Sequence, residues 1–146
     1  MPDAIFAHPR LAPIYDAFDG ERDDLDAYLR IADELGAHHV LDVGCGTGSL
    51  AILLANSGRH VTGVDPAEAS LHVAMSKSGA GSVTWLHGDA TTLPDLAVDV
   101  AMMTGNVAQV FLTDDEWCST LRGIHRALRV GGHLVFETRR PERRAW

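Results

Sequence analysis

Short apolar blocks alternate with amphipathic stretches along this chain, and the alternation predicts strands that take turns with helices. Five apolar runs have the length of a strand, and glycine or polar residues follow them. They cover residues 39–43, 60–64, 83–87, 98–103 and 133–138. Strands that alternate with helices form parallel sheets with helices on both faces. The pattern therefore predicts an α/β fold with an open, mainly parallel sheet of about five strands.

Helical periodicity marks most of the segments around these runs. The clearest case starts at Asp23 or Asp24 and reaches about Leu35, where Gly36 supplies the stop, and we interpret it as a packing element. Pro66 is expected at the first position of another helix, since proline is favoured there. The other predicted helices cover residues 11–18, residues 49–57, and a segment that opens with a capping box at Thr113–Glu116 and ends at Gly131-Gly132.

The first predicted strand runs directly into a glycine turn, Gly44-Cys45-Gly46-Thr47-Gly48. A strand, a glycine turn and a helix in succession present backbone N–H groups and a helix N-terminus to a ligand. The dinucleotide fingerprint would need its third glycine at position 49, which is Ser49, and no Gly-Lys-Ser/Thr of a P-loop follows. The turn therefore predicts a ligand site but matches neither of these signatures.

Composition and charge narrow the class of protein. The chain has 146 residues, which suits one domain, and a net charge of −8. Residues 139–146 hold four arginines and one glutamate, a net charge of +3, so the remainder carries −11. An acidic body argues against nucleic-acid and membrane partners. Two cysteines, no membrane-length apolar run and no signal-peptide pattern make the cytoplasm the expected location.

The motif order resembles that of the class I S-adenosylmethionine-dependent methyltransferases, from about residue 38 to 138. The landmarks that carry the resemblance are Val40–Gly48, Val61–Asp65, Leu86–Ala90, Val98–Met103 and Leu128–Gly132. The resemblance implies a Rossmann-like fold, S-adenosyl-L-methionine as cofactor, S-adenosyl-L-homocysteine as product, and transfer of a methyl group to a small-molecule acceptor. Two departures stand out: the family's sheet normally has seven strands, and Val130 stands where the family often has proline.

The resemblance also assigns roles to the residues at the ends of the strands. Asp65 would accept hydrogen bonds from the ribose hydroxyls, with a helix cap as the alternative. Asp89 would accept from the adenine amino group while the Ala90 backbone reaches the ring, or Asp89 is an ordinary turn residue. Asp42 would position the methionine end or brace the glycine turn. The predicted cofactor-binding residues are Tyr15, Asp42, Gly44, Cys45, Gly46, Gly48, Asp65, Pro66, Asp89, Ala90, Thr104, Gly105 and Asn106.

Several further residues are weighed against plainer explanations. By the resemblance, Tyr15 would close over the cofactor as a tyrosine does in some relatives; the alternative is that it packs in the core. Asn106 and Gln109, after the fourth strand, are candidates for contacts near the transferred methyl group. Cys45 is interpreted as a small spacer, because neither a base nor a motif is there to activate it. No catalytic base is predicted, although Glu137 is a candidate for orienting the acceptor or removing a proton.

No metal site is predicted. His38 and His39 lie at the base of the first strand, opposite the ligand edge, and the other histidines lack ligand spacing. The arginines at 139, 140, 143 and 144 are interpreted as a solvated end, with contact to an anionic substrate as the alternative.

The expected organisation is a helical lid segment over residues 1–36, an α/β core over 37–138, and a basic tail over 139–146 at which truncation is expected. A fifth strand left at the edge would invite pairing, so a longer enzyme, a partner or second copy on that edge, and a stable minimal core all stay open. The main alternative function is a non-catalytic core that binds S-adenosylmethionine or S-adenosylhomocysteine. A nicotinamide-dependent oxidoreductase fits the glycine spacing less well, and the identity of the acceptor stays open.

Overall fold

One five-stranded parallel sheet organises the molecule. The computed structural model describes residues 3–140. Its strands are β1 (His39–Val43), β2 (His60–Asp65), β3 (Val83–His87), β4 (Val98–Met103) and β5 (Leu128–Phe136). Their order is β3-β2-β1-β4-β5, and every neighbouring pair is parallel. The predicted Rossmann-like α/β fold is confirmed.

The strand order reverses next to β1. From β1 the chain moves outward through β2 to β3, and then returns to place β4 on the other side of β1. The loops that leave β1 and β4 therefore diverge at the carboxyl edge of the sheet. A crevice at such a switch point is where open α/β sheets bind their ligands.

Helices cover both faces of the sheet. The α-helices of the described part are α1 (Ala4–Ala7), α2 (Tyr15–Asp19), α3 (Asp24–Glu34), α4 (Ser49–Asn56), α5 (Glu68–Ser76) and α6 (Asp114–Ala127). Short 3-10 helices occupy Ala12–Ile14, Ala80–Ser82 and Val107–Gln109. Within residues 3–140, no helix combines the length and the apolar character that a membrane crossing requires.

The core has two layers because the central strands are apolar on both faces. Val40 of β1 packs with α3 and α4 on one side, whereas Leu41 packs with α6 on the other. Both side chains are at most 1% exposed. Strands buried on both faces form nearly continuous apolar runs, which is why the bounds predicted for β1 and β4 agree with the structure. The bounds predicted for β3 also agree, although this edge strand is only partly buried.

The start of α6 follows the predicted capping box. The Thr113 hydroxyl accepts from the backbone N–H of Glu116, and the Glu116 carboxylate accepts from the N–H of Thr113, both at 3.2 Å. These reciprocal bonds satisfy donors that the first helical turn leaves free. The first turn also holds Asp114 and Asp115, which complement the helix dipole.

Three predicted boundaries were wrong. Helix α5 begins at Glu68 rather than Pro66, because the Asp65 carboxylate accepts from the Ala67 N–H at 2.7 Å and holds residues 65–67 in a turn. The helix expected over residues 11–18 is divided into a 3-10 turn, Ala12–Ile14, and α2. Such a turn suits Pro13, whose ring nitrogen has no hydrogen to donate to a longer helix.

The third correction concerns β5. Gly131-Gly132 was expected to end α6, but α6 ends at Ala127 and both glycines lie inside β5. Leu128 already pairs with Val98, and the register then shifts before His133 pairs with Val100. The extra residues form an irregularity that Gly131 accommodates with a φ of +80°.

Candidate functional site

The glycine turn lies at the carboxyl end of β1, in the crevice at the switch point. Gly44, Gly46 and Gly48 all have positive φ, at 71°, 54° and 80°. A methyl group on Gly44 would lie 2.6 Å from the Val107 side chain, so packing as well as conformation requires glycine there. A methyl group on Gly46 would meet no atom within 4 Å. The middle of the turn therefore faces open space.

Asp65, at the end of β2, is bonded directly to this turn. One carboxylate oxygen accepts from the Gly46 N–H at 2.8 Å, and the other accepts from the Ala67 N–H at 2.7 Å. Asp65 is 7% exposed, and burial raises its pKa while the two hydrogen bonds oppose that rise. Each oxygen can accept a second hydrogen bond, so capping Ala67 does not exclude the predicted contact with ribose.

Asp42 is the more deeply buried carboxyl of the pair. It lies in the middle of β1 and is 1% exposed. Burial first, and the neighbouring Asp65 second, raise the pKa of Asp42 to about 7. Arg22, which precedes α3, acts in the opposite direction. Two buried carboxyl groups, those of Asp42 and Asp65, therefore lie next to the turn, and Asp42 titrates near neutral pH.

The loop after β3 brings Asp89 and Ala90 to the same edge of the sheet. Asp89 is exposed, and one of its oxygens accepts from the N–H and the hydroxyl of Thr91 at 2.7 and 2.6 Å. Ala90 is 1% exposed, and its carbonyl group packs against Gly123 of α6. Sequence reasoning missed Gly123, although a glycine inside a helix is a signal of close packing.

The segment after β4 covers the turn from the opposite side. Thr104 and Gly105 are half-buried and Asn106 is exposed. Val107, which follows them, makes the contact with Gly44. Asn106 and Gln109 were predicted as site residues in this segment. Val107 was not, because its aliphatic side chain has no reactive or hydrogen-bonding group.

Glu137 lies beside the same segment and has a partner that the sequence did not predict. The Tyr28 hydroxyl of α3 donates to the Glu137 carboxylate, and the Glu137 N–H donates to the carbonyl oxygen of Met103 at 3.4 Å. Burial first, and then Glu137, raise the pKa of Tyr28. Helix α3 was interpreted only as a packing element, but it positions a carboxylate at the ligand edge.

The N-terminal segment contacts the turn through Asp16. Its carboxylate accepts from the hydroxyl of Thr47 in the glycine turn and forms an ion pair with Lys77 at the end of α5. The adjacent Tyr15 is half-buried and packs against Phe6, with ring centroids 4.9 Å apart. The N-terminal segment therefore contacts the glycine turn, and its role as a lid stays a prediction.

The remaining candidates lie at the edges of this arrangement. Cys45 is buried, and burial raises the pKa of its thiol, which disfavours a reactive thiolate. Pro66 is exposed next to Asp65. Of the basic tail, Arg139 and Arg140 are exposed, whereas the arginines at 143 and 144 lie outside the described residues.

Comparison with known proteins assigns this chain to a family. A model of the methyltransferase domain matches residues 40–132, more than half of the chain. The chain belongs to the class I S-adenosylmethionine-dependent methyltransferases. The matched range contains the glycine turn, Asp65, Asp89 and the segment after β4.

Relatives and solved structures agree on the family. The ubiquinone/menaquinone biosynthesis C-methyltransferase UbiE of Rubrivivax gelatinosus is 33% identical over 110 residues, which are 74% of this chain and 42% of that protein. The structure of the CcbJ methyltransferase from Streptomyces caelestis has a TM-score of 0.77 and 26% identity, and the match covers 92% of this chain and 58% of that one. The amino pentose methyltransferase CalS10 from Micromonospora echinaspora, solved with S-adenosylmethionine bound, has a TM-score of 0.76, 26% identity and coverage of 88% and 58%.

The methyltransferase chain is short by comparison with these relatives. It spans 42% to 62% of the length of the curated proteins that it matches. Family and fold are therefore shared, whereas the activity and acceptor of a whole protein are matters for proposal.

Proposed function

We propose that this methyltransferase domain binds S-adenosylmethionine in the crevice around the glycine turn and transfers its methyl group to a small-molecule acceptor. One observation carries the proposal: the Asp65 carboxylate accepts the Gly46 N–H at 2.8 Å. This bond joins the end of β2 to the turn that follows β1. The acidic group that would accept from a ribose then lies beside the glycine turn, as in nucleoside-binding folds of this kind.

The residues present fit such a ligand. Open space lies in front of Gly46, where a methyl group would meet nothing within 4 Å. Asp65 keeps acceptor capacity for hydroxyl groups after its two backbone bonds. Asp89 is exposed in the loop after the neighbouring strand and is the candidate acceptor for the adenine ring.

The bound cofactor would supply an already activated methyl group on a sulfonium. The protein's task is therefore alignment, which can supply much of the acceleration of a bimolecular reaction. Asp65 and the turn would hold the nucleoside, and residues 104–106 would border the transfer point. The Tyr28–Glu137 pair would orient the acceptor at the same edge. No residue is assigned as an obligatory base.

Charge supports a small acceptor rather than a nucleic acid. The chain carries −8 overall, and phosphate backbones need basic surfaces. Two cations near the N-terminal segment are already in ion pairs, Arg22 with Asp19 and Lys77 with Asp16. Small neutral or cationic acceptors suit this edge better than polyanions.

Calorimetric titration with S-adenosylhomocysteine tests the proposal. We expect one-to-one binding by the wild-type chain and a loss of at least about tenfold in affinity for Asp65→Ala, because one charge-assisted hydrogen bond is worth about 1.5–3 kcal/mol. Asp65→Asn should fall between the two, since it keeps one acceptor oxygen. Asp95→Ala is the matched control, because Asp95 is an exposed loop aspartate.

Two results would count against the proposal. The first is unchanged affinity in an Asp65→Ala variant whose circular dichroism matches that of the wild type. The second is a wild-type chain that is folded and shows no binding. A methyl-transfer assay over a panel of small O, N, S and C nucleophiles would then identify the acceptor class for a chain that does bind.

A further inference from the structure

A pair of histidines lies at the opposite edge of the sheet from the glycine turn. His39 begins β1 and His60 begins β2, and the two residues are 21 positions apart in the sequence. They are partners in the parallel register, so their side chains leave the sheet on the same face. The ring centroids are 4.9 Å apart, with an angle of 53° between the ring planes.

The backbone around the pair is fixed on both strands. The His60 N–H donates to the carbonyl oxygen of His38 at 2.9 Å. The N–H groups of His38 and His39 both donate to one oxygen of Asp99 at 2.8 Å, and Asp99 is in turn paired with Arg129. The backbones that carry the two imidazoles are therefore held in register before any ligand arrives, and both side chains are exposed.

A small cavity of about 120 Å³ adjoins the pair. Its lining includes Thr62, Ser82 and Thr84, which carry hydroxyl groups, and also Leu96 and Val98. The cavity lies next to the loop that joins β3 to β4, which contributes Leu96 and Ala97 to its lining. The cavity offers polar groups and room for water next to the imidazoles.

We propose that His39 and His60 form a binding site for a divalent transition-metal ion. Imidazole nitrogens suit nickel, copper and zinc, and two of them within reach of one ion provide a chelate. No group of three or more histidine, cysteine, aspartate or glutamate side chains gathers for a metal anywhere in residues 3–140. Water and the hydroxyl groups of the cavity would complete the coordination shell, so the ion stays exchangeable.

Metal binding at this site should stabilise the fold without affecting the cofactor site. A bound ion would link the first residues of β1 and β2, which are paired only in the folded sheet. Because the unfolded chain has no such preformed pair, metal binding stabilises the folded state by mass action. The ion lies at the amino edge of the sheet, so cofactor binding at the carboxyl edge should be unaffected.

The test is calorimetric titration of the tag-free chain with nickel chloride, in wild type and in His39→Gln and His60→Gln. We expect one site per wild-type chain and a loss of at least about tenfold in affinity in each variant, since even indirect partners of a metal ligand are worth about 10–100-fold. His125→Gln is the matched control, because His125 is an exposed histidine on α6, and it should keep the wild-type affinity.

Nuclear magnetic resonance gives a second, independent readout. Paramagnetic nickel should broaden the imidazole signals of His39 and His60 before those of the other histidines. A wild-type chain without a nickel site, wild-type affinity in either the His39→Gln or the His60→Gln variant, or earlier broadening of other histidine signals would each overturn the proposal. Both substitutions are at exposed positions, so circular dichroism should show an unchanged fold.

Discussion

A methyl group at position 123 has no room in this fold. Gly123 lies within α6, and a Cβ atom there would be 1.9 Å from the carbonyl oxygen of Ala90 and 2.6 Å from its carbonyl carbon. Close carbon–oxygen contacts in proteins are about 3.3 Å. In Gly123→Ala, the helix or the loop must therefore move by roughly 1.4 Å. Neither atom belongs to a flexible side chain that could turn away.

The size of the effect follows from what α6 buries. Ile124 and Ala127 are 1% and 2% exposed against the sheet, and displacement of the helix loosens both contacts. Overpacking a core costs about 1–3 kcal/mol, and a clash between two backbones belongs at the upper end of that range. Replacing glycine by alanine inside a helix returns about 1 kcal/mol. We expect Gly123→Ala to lower the free energy of unfolding by about 2 kcal/mol.

Urea unfolding at 25 °C, followed by circular dichroism, measures this difference. The control is Gly81→Ala, because a Cβ atom at Gly81 meets nothing within 4 Å and its φ lies outside the positive region. The control should be as stable as wild type or more stable by up to about 1 kcal/mol. Gly123→Ala should lower the midpoint with little change in slope. A Gly123→Ala protein as stable as the control would refute the close contact between α6 and the loop after β3.

Three further predictions concern the protonation of Asp42, the N-terminal cap of α6 and the N-terminal segment. Burial raises the pKa of Asp42 from 3.8 to about 7, so the folded state holds this proton more tightly than the unfolded chain. The stabilisation by the protonated Asp42 is complete below about pH 4 and is lost as the pH rises through 7. The free energy of unfolding of the wild type, taken relative to that of Asp42→Asn, should therefore fall by up to about 4 kcal/mol from pH 4 to 8. A pH-independent difference in urea titrations would contradict it. Thr113→Ala should lower the free energy of unfolding by about 1 kcal/mol, since it removes one bond of the capping box; equal urea midpoints would show that the cap contributes nothing. Asp16→Ala removes the bonds to Thr47 and Lys77 and should make limited proteolysis within residues 3–19 about fivefold faster, as expected for about 1 kcal/mol of local stability. Cleavage at the wild-type rate would mean that Asp16 does not hold this segment in place.

Local patterns predicted much of the fold because their physical causes are local. The strands at 39–43 and 98–103 have the observed bounds, since strands that are buried along most of their length are mostly apolar. The bounds of the strand at 83–87 agree as well, although that edge strand is only partly buried. The capping box at the start of α6 needs only four consecutive residues. The errors came where a distant partner decides the outcome. Gly131-Gly132 suits a helix end by composition, but pairing with β4 draws both glycines into β5.

In the candidate site, too, local patterns predicted some residues, and contacts between distant residues determine the others. The glycine turn and the acidic ends of β2 and β3 were visible in sequence, and their roles toward the cofactor stay predictions. The bond from Asp65 to Gly46 spans 19 positions, and that from Tyr28 to Glu137 spans 109. Gly123 and Val107 have no reactive group and were not predicted. Their importance comes from contacts with distant residues, Gly123 with Ala90 and Val107 with Gly44.

The sequence by itself determined the order of strands and helices, the conformation of the glycine turn and the family of the protein. Each of these depends on residue type and on spacing over a few positions, where backbone preference and the burial pattern dominate. Only the tertiary structure decided which distant groups meet. His39 reaches His60, and Gly123 reaches Ala90, because strand register and helix packing bring their backbones together. Those contacts depend on the whole sheet closing in one register, which no short stretch of the chain specifies.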